Sequence, residues 1–379
     1  MSFESNVDNL EIRNADKITF VGPSTSTVVD TVNGRVGIGT NAPRTTLDIN
    51  GTGSIIIPSG TTAQQPTGVA GMVRYNTSTS NLEFYDGTTW NTISGYNSVQ
   101  ATGGTISDVV DSGVSYRVHT FSTVGTSDFV VTRGGEVEYL IVAGGGGGGG
   151  RYHGGGGGGG GVLQHRGFSV TPQTYPIVVG DGGAAGLATP NEAQRGSNGS
   201  NSSAFGQTAL GGGGGGGNST LQPGLSGGCG GGAAGSSTDV TNQGGNGTDG
   251  QGFAGGNGLG SGTNNLRVGA GGGGAGGRGY DALHGSAPAP GHGGDGIPST
   301  ISGTLEYYGG GGGGGGLAET TNAGRGGKGG GGIGALGADT TPYATAGENG
   351  KGGGGGGSNS SSNGLGNGGS GVVIIRYRI

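Results

Sequence analysis

The sequence predicts a mainly β and irregular fold with almost no α-helix: short strands first, then a glycine-rich bundle of extended helices closed by β-strands. Three observations carry this. Apolar residues alternate with small or polar ones between turn dipeptides in the first 142 residues, the pattern of half-buried strands. Of 108 glycines, 91 lie from Gly144 onward. An apolar run stands at each border of that glycine region, at 137–142 and at 372–377.

Composition narrows the classes. Hydrophobic residues make up 29% and charged residues 11% of the 379, against roughly 45–50% and 25% in ordinary domains. A conventional core fits only the first part. The net charge of −6 gives no basic footprint for nucleic acid and no polybasic signal for a membrane surface. Cys229 is the single cysteine, which excludes an intrachain disulfide framework. No apolar run approaches the 18 residues or so of a membrane span.

From the start of the chain, Ile18–Val21 and Val28-Val29 read as short strands within a polar arm, residues 1–30. Met1 to Asp16 lacks the apolar stretch of a secretory signal, so no such leader is expected. Over residues 31–96, Val36, Ile38, Leu47 and Ile49 alternate with small or polar neighbours, and Ile55–Ile57 follows as a further apolar run. Asn33-Gly34, Asn50-Gly51 and Asp86-Gly87 are turn dipeptides,. Phe84, Tyr85 and Trp90 flank the last of these and predict a small hairpin.

Within this region GRVGIGTNAPRTTLDING (34–51), GMVRYN (71–76) and LEFYDGTTW (82–90) follow one another. The first resembles the VGIGT-x-x-P-x-x-x-LD-(V/I)-x-G unit of tail-fibre shafts in phages and some large viruses, and the order of the other two resembles those shafts as well. The resemblance implies an intertwined, trimeric shaft.

Residues 97–136 read as a β-rich connector, with strands at 116–121 and 128–131 and a turn at Gly134-Gly135. The region 137–379 then carries glycine runs at 144–150, 154–161, 211–217, 309–316 and 352–357. A flexible linker is the plain alternative for such composition. Three features oppose it: no globular sequence follows Ile379, the two border strands can pair, and Tyr175–Gly180 reads as a strand between the runs. Collagen needs glycine at every third position and abundant proline, and the chain has 12 prolines and unbroken glycine runs.

Polyglycine II remains. It has three residues per turn and no internal hydrogen bonds, as in polyproline II, so every amide and carbonyl must find a partner in another segment. Only helices without side chains approach closely enough to bond in several directions. Glycine loses roughly 0.5–1 kcal/mol more than alanine on ordering, and a net hydrogen bond returns about 0.5–1.5 kcal/mol. Nearly every backbone group must therefore be bonded, or the region stays disordered.

EYLIVAGGG (138–146), YPIVVGDGG (175–183) and GGSGVVIIRY (368–377) resemble the opening, an internal strand and the closing strand of viral glycine-rich domains. That resemblance implies a distal adhesin whose polyglycine II layers display receptor-binding loops. The glycines then build a scaffold, and aromatic and polar residues between the runs are the candidate receptor contacts: Arg151, Tyr152, His153, Tyr280, His284, Tyr307, Tyr308 and Tyr343, expected on turns. Rings on rigid loops suit stacking against sugars or outer-membrane protein surfaces.

Catalytic and cofactor motifs fail on context. Gly37-Ile-Gly39-Thr-Asn-Ala42 matches a dinucleotide fingerprint, but Pro43 and a β pattern follow where a helix is needed,. Lys328 and Lys351 follow glycines without the Ser or Thr of a phosphate loop,. Residues 244–249 match the start of a calcium nonapeptide once, with Gln251 where a large apolar residue belongs,. Ser226 in GLSGG lacks a strand before it and a helix after it,. His119, His153, His165, His284 and His292 are scattered without metal-ligand spacing,.

The expectation is thus a non-enzymatic fibre or adhesin subunit on a virion surface, without cofactor or metal. It attaches to other virion proteins through residues 1–30, forms a homotrimer, and meets a host glycan or outer-membrane protein. A cellular glycine-rich surface protein, including an ice-binding one, is the alternative. It ranks second because no sustained three-residue row of Thr, Ser or Ala is present. A fibre-borne depolymerase ranks third, since acidic residues are sparse in the glycine region,.

Overall fold

The computed structural model describes residues 17–21, 26–93, 98–187, 194–217, 222–235, 241–258, 267–283, 288–316, 322–337, 343–359 and 366–379. It divides into two compact units, Met1–Ile93 and Ser94–Ile379. Strands dominate both. Among the described residues, the one helical element is a 3₁₀ turn at Thr62–Gln64.

The N-terminal unit holds two four-stranded sheets. In the first, β1 (Lys17–Val21), β2 (Ser26–Asp30) and β3 (Arg35–Ile38) are antiparallel neighbours, and β4 (Leu47–Ile49) joins β3 in parallel. Asn33 caps the β2–β3 turn by donating to Asp30 from its backbone (3.0 Å) and its amide (2.9 Å). Gly39 is required where it stands. Its φ is +74°, and a Cβ there would collide with the carbonyl oxygen of Asn50. The second sheet contains β5 (Ser59–Gly60), β6 (Val73–Asn76), β7 (Asn81–Tyr85) and β8 (Trp90–Thr92). The expected hairpin is β7–β8, with Tyr85 opposite Trp90. Asp86 closes its turn by accepting from Thr88 and Thr89, and these bonds hold its carboxyl below the ordinary carboxylate range. Ile55–Ile57, read as a further apolar run, lies outside the strands. Ile56 is 95% exposed.

The C-terminal unit combines a β-sandwich with the glycine segments. Its strands are β9 (Gln100–Thr102), β10 (Thr105–Asp111), β11 (Val114–Phe121), β12 (Gly125–Arg133), β13 (Gly135–Val142), β14 (Val162–Val170), β15 (Gln173–Val179), β16 (Ser202–Ala204), β17 (Gln207–Ala209), β18 (Ile297–Ser299), β19 (Glu306–Tyr308) and β20 (Val372–Arg378). One sheet runs β10-β11-β20-β13-β14 and the other β17-β16-β15-β12-β9. The two border strands do pair: β13 and β20 are antiparallel, with Leu140 opposite Ile374. β11 flanks β20 on its other side, so the line expected at 136/137 runs through continuous sheets. Strand alternation sends Val137, Tyr139 and Ile141 into a core shared with Phe129, Val131, Ile177 and Val179 of the other sheet. Leu140, Val142, Val372 and Ile374 point the opposite way, onto Cys229, Ala275, Ile301 and Tyr308.

The glycine segments bond in a three-residue rhythm. Gly144, Gly147 and Gly150 donate to Ser200, Ser197 and Gln194. Gly145 and Gly148 donate to Gly369 and Gly366, and Gly146 and Gly149 donate to Gly158 and Gly155, all at 2.8–3.0 Å. Each successive residue thus turns to a different neighbour. Residues 154–161 are surrounded. They donate to three segments (210–216, 270–273 and 352–358) and accept from three more, through Gly146 and Gly149, Gly232, and Gly312 and Gly315. A Cβ on Gly157 would sit on the carbonyl of Gly146, and one on Gly156 on that of Gly312. Backbones at this separation leave no room for a side chain.

Candidate functional site

Where a segment lies at the border of the bundle, side chains replace the missing backbone partner. Asn198 and Asn201 accept from the amides of Gly214 and Gly211, both at 2.9 Å. His292 Nδ1 accepts from the amide of Arg325 at 3.0 Å, and Asp295 from that of Lys328 at 2.8 Å. Each pair is three residues apart, so both members face the same neighbour. Burial and the Arg325 charge lower the His292 pKa, which keeps Nδ1 free to accept. Asn257, Thr345, Asn349 and Asn367 act alike towards Gly244, Ile333, Ser370 and Ala185. Sequence reasoning missed this role. Its only signal is the i, i+3 spacing of short polar side chains amid glycine.

The two ends of the bundle differ. One packs on the sandwich through Cys229, Ala275, Ile301 and Tyr308. The other carries the turn 151–153, and residues flanking 188–193, 236–240, 317–321 and 360–365 bond in the same layer. Gly150 donates to Gln194, which donates to Leu187; Gly235 donates to His153; Gly154 donates to Ser358; Gly316 donates to Ala335.

At this far end Arg151 and His153 have φ of +50° and +66°. That reversal presents Tyr152, 45% exposed, beneath the Arg151 guanidinium at 4.7 Å from the ring centre. His153 turns inward. It is buried, and burial together with the Arg267 charge pushes its pKa down to about 3. Tyr343 is exposed on a segment whose Thr345 pairs with Ile333, two residues before Ala335 of the far layer.

The remaining candidates are elsewhere. Tyr280 is 63% exposed on the flank, with its ring against His292. Tyr307 and Tyr308, expected on a turn, lie in β19. Strand alternation leaves Tyr307 half-buried under Lys328 and puts Tyr308 in the core against the sandwich. Tyr308 and His153 are therefore not surface contacts. His284 lies outside the described residues. The structure brings together Arg151 and Tyr152, with Tyr343 at the same end, and leaves Tyr280 and Tyr307 apart from them.

A second aromatic cluster escaped the sequence reading. Phe168, Tyr175 and Phe205 converge at the sandwich edge, with Phe205 5.1 and 5.2 Å from the other two rings.

The N-terminal unit is built the other way round. Ile38, Leu47, Ile49, Ile56, Val73 and Tyr75 are exposed, whereas Asp48, Arg74, Asn76 and Glu83 are buried. Arg74 pairs with Glu83 at 3.1 Å, and Gln65 and Asn76 each donate to Glu83 at 3.0 Å. Burial alone would raise the Glu83 pKa. The Asn76 and Gln65 amides and the Arg74 charge outweigh it, and the net shift is downward. An outward apolar face over a paired, charged interior is the surface of an interaction site,.

Two family models match. A phage tail-like trimerisation region covers residues 37–107, and a glycine-rich domain covers residues 120–378. No curated protein sequence matches the chain significantly. The trimerisation match supports a homotrimer and points to a structural component of a phage-like tail. No helix among the described residues is long and apolar enough to cross a membrane. Since the glycine-rich model spans well over half of the 379 residues, the chain belongs to the glycine-rich domain family.

Proposed function

We propose that this chain is a fibre or adhesin subunit on the surface of a phage-like virion. In this reading the N-terminal arm attaches to other particle proteins, a VGIGT-type shaft intertwines three copies, and the glycine segments form a polyglycine II scaffold that presents the far-end turn to a host glycan or outer-membrane protein. The reading is non-enzymatic. The observation that carries it is the pairing, in one chain, of a trimerisation region with a bundle whose described glycine segments bond one another through their backbones. Such a scaffold is rigid without a conventional core, and rigid scaffolds favour recognition by the residues on their turns.

The experiment is adsorption of particles to host cells. Particles carrying the chain truncated after residue 107, the end of the trimerisation match, should assemble and fail to adsorb; unchanged adsorption would end the proposal. Tyr152→Ser, on an exposed ring, should weaken adsorption without lowering the melting temperature. Equal adsorption by that variant would move the contact away from the 151–153 turn.

A further inference from the structure

The cluster at the sandwich edge has the features of a ligand site. Two backbone irregularities aim rings into one cleft. Opposite β13, β14 shifts register between the partners of Val137 and Tyr139, and Gly167 within that bulge has a φ of +74°. Bulges re-aim the side chain beside them, here Phe168. Phe205 stands at the tip of the β16–β17 hairpin with a φ of +54°. A bulky residue in that region is an outlier, and such strain persists where the surroundings hold it. Tyr139 and Tyr175 do so, with ring centres 5.5 and 5.2 Å from Phe205.

The cleft lined by Phe168, Tyr175 and Phe205 has a volume of about 590 Å³, within the range of small-molecule sites. Its rim is hydroxyl and amide: Thr171, Gln173, Ser203 and Thr208. The Tyr175 hydroxyl accepts from the Thr171 amide at 2.9 Å, and Gln173 donates to the Thr171 hydroxyl at 3.2 Å. No Asp, Glu, Lys or Arg lines the cleft. Aromatic faces bounded by uncharged donors and acceptors match a ligand with apolar ring faces and an equatorial belt of hydroxyls. We infer that the cleft between Phe168, Tyr175 and Phe205 binds a neutral hexose unit of a saccharide. The site is separate from the 151–153 turn and does not depend on that turn's role.

The test is titration of the full-length chain with neutral glucose- and galactose-based oligosaccharides and with a sialylated one, followed by calorimetry. Neutral oligosaccharides should bind, with no gain from the acidic sugar. Phe205→Asn removes the ring and keeps a residue that tolerates positive φ, so the hairpin should form. This variant should lose roughly tenfold in affinity. If its melting temperature falls, Thr208→Ala on the exposed rim replaces it and should weaken binding in the same direction. Absence of binding to every neutral sugar at millimolar concentration would overturn the inference. So would full affinity in both variants, or self-association of the chain that Phe205→Asn abolishes.

Discussion

The two units solve the problem of a small core in opposite ways. The N-terminal unit keeps charge inside, as Arg74 against Glu83, and puts Ile38, Leu47 and Ile56 outside. The C-terminal unit keeps apolar residues, bare backbone and an ion-paired charge, Arg376 against Asp111 and Glu138, inside, and leaves Asn198, Asp295 and Asn367 to finish its borders. The first is incomplete as a single chain; the second closes on its own hydrogen bonds. Apolar content alone therefore does not decide where a chain can fold alone. What decides is whether each buried group has its partner within the same chain.

The sharpest way to break this comparison is to put one side chain into the bundle. Gly157→Val drives its branches onto the Gly146 carbonyl. It should cost at least about 4 kcal/mol, the scale of severe packing defects, and unfold the C-terminal unit. Trimerisation by the N-terminal unit should survive, as read by calorimetry and sedimentation together.

Acid separates the units next. All five histidines lie in the C-terminal unit, and His119 and His153 have lowered pKa values through burial. His119 is held neutral between the Gly103 carbonyl at 2.8 Å and the Tyr377 hydroxyl at 3.0 Å. A neutral folded histidine stabilises fully above its unfolded pKa of about 6.5 and loses that contribution as pH falls towards the folded value. The loss approaches roughly 1.4 kcal/mol per pH unit for each such group. The lowered groups of the N-terminal unit are carboxylates, Asp48, Glu83 and Asp86, whose contributions fade only below about pH 4. Thermal melts between pH 7 and 4.5 should therefore lower the C-terminal transition first, and a simultaneous fall of both would contradict the division.

Smaller effects test each unit's border. Leu47→Glu, on the exposed apolar face, should remove about 1.5–3 kcal/mol of assembly energy per chain and shift the trimer towards monomer in sedimentation, with the C-terminal melt unchanged. Asn198→Ala leaves the Gly214 amide without its side-chain acceptor. About 1 kcal/mol should be lost, seen as a slightly lower C-terminal melting temperature and no change in assembly.

Much of this fold was legible. The alternation at 36–49, the turn dipeptides and the two border strands locate β3, β4, the β7–β8 hairpin and the β13–β20 pair, because each signal is local or is a long apolar run. The demand that every glycine amide be bonded followed from physics alone. The partners did not, because identical residues carry no register. Tyr308 was misplaced because a three-residue strand hides its alternation in a turn-like stretch. Phe205 gave almost no signal, since its role depends on a positive φ and on rings from three other strands, β13, β14 and β15. Of the proposed contact residues, Arg151 and Tyr152 were legible as an exposed turn, because a glycine run is interrupted there and resumes at once.

The hydrogen bonds of residues 154–161 also set an order of events. Gly154 and Gly157 donate to Ser358 and Gly355, some two hundred positions later in the chain. During synthesis this central segment leaves the ribosome some two hundred residues before these partners of its amides. Contacts so distant in sequence make folding slow. A chain halted before residue 352 lacks the acceptors of Gly154, Gly157 and Gly160, so one side of the central segment stays open until those residues are made.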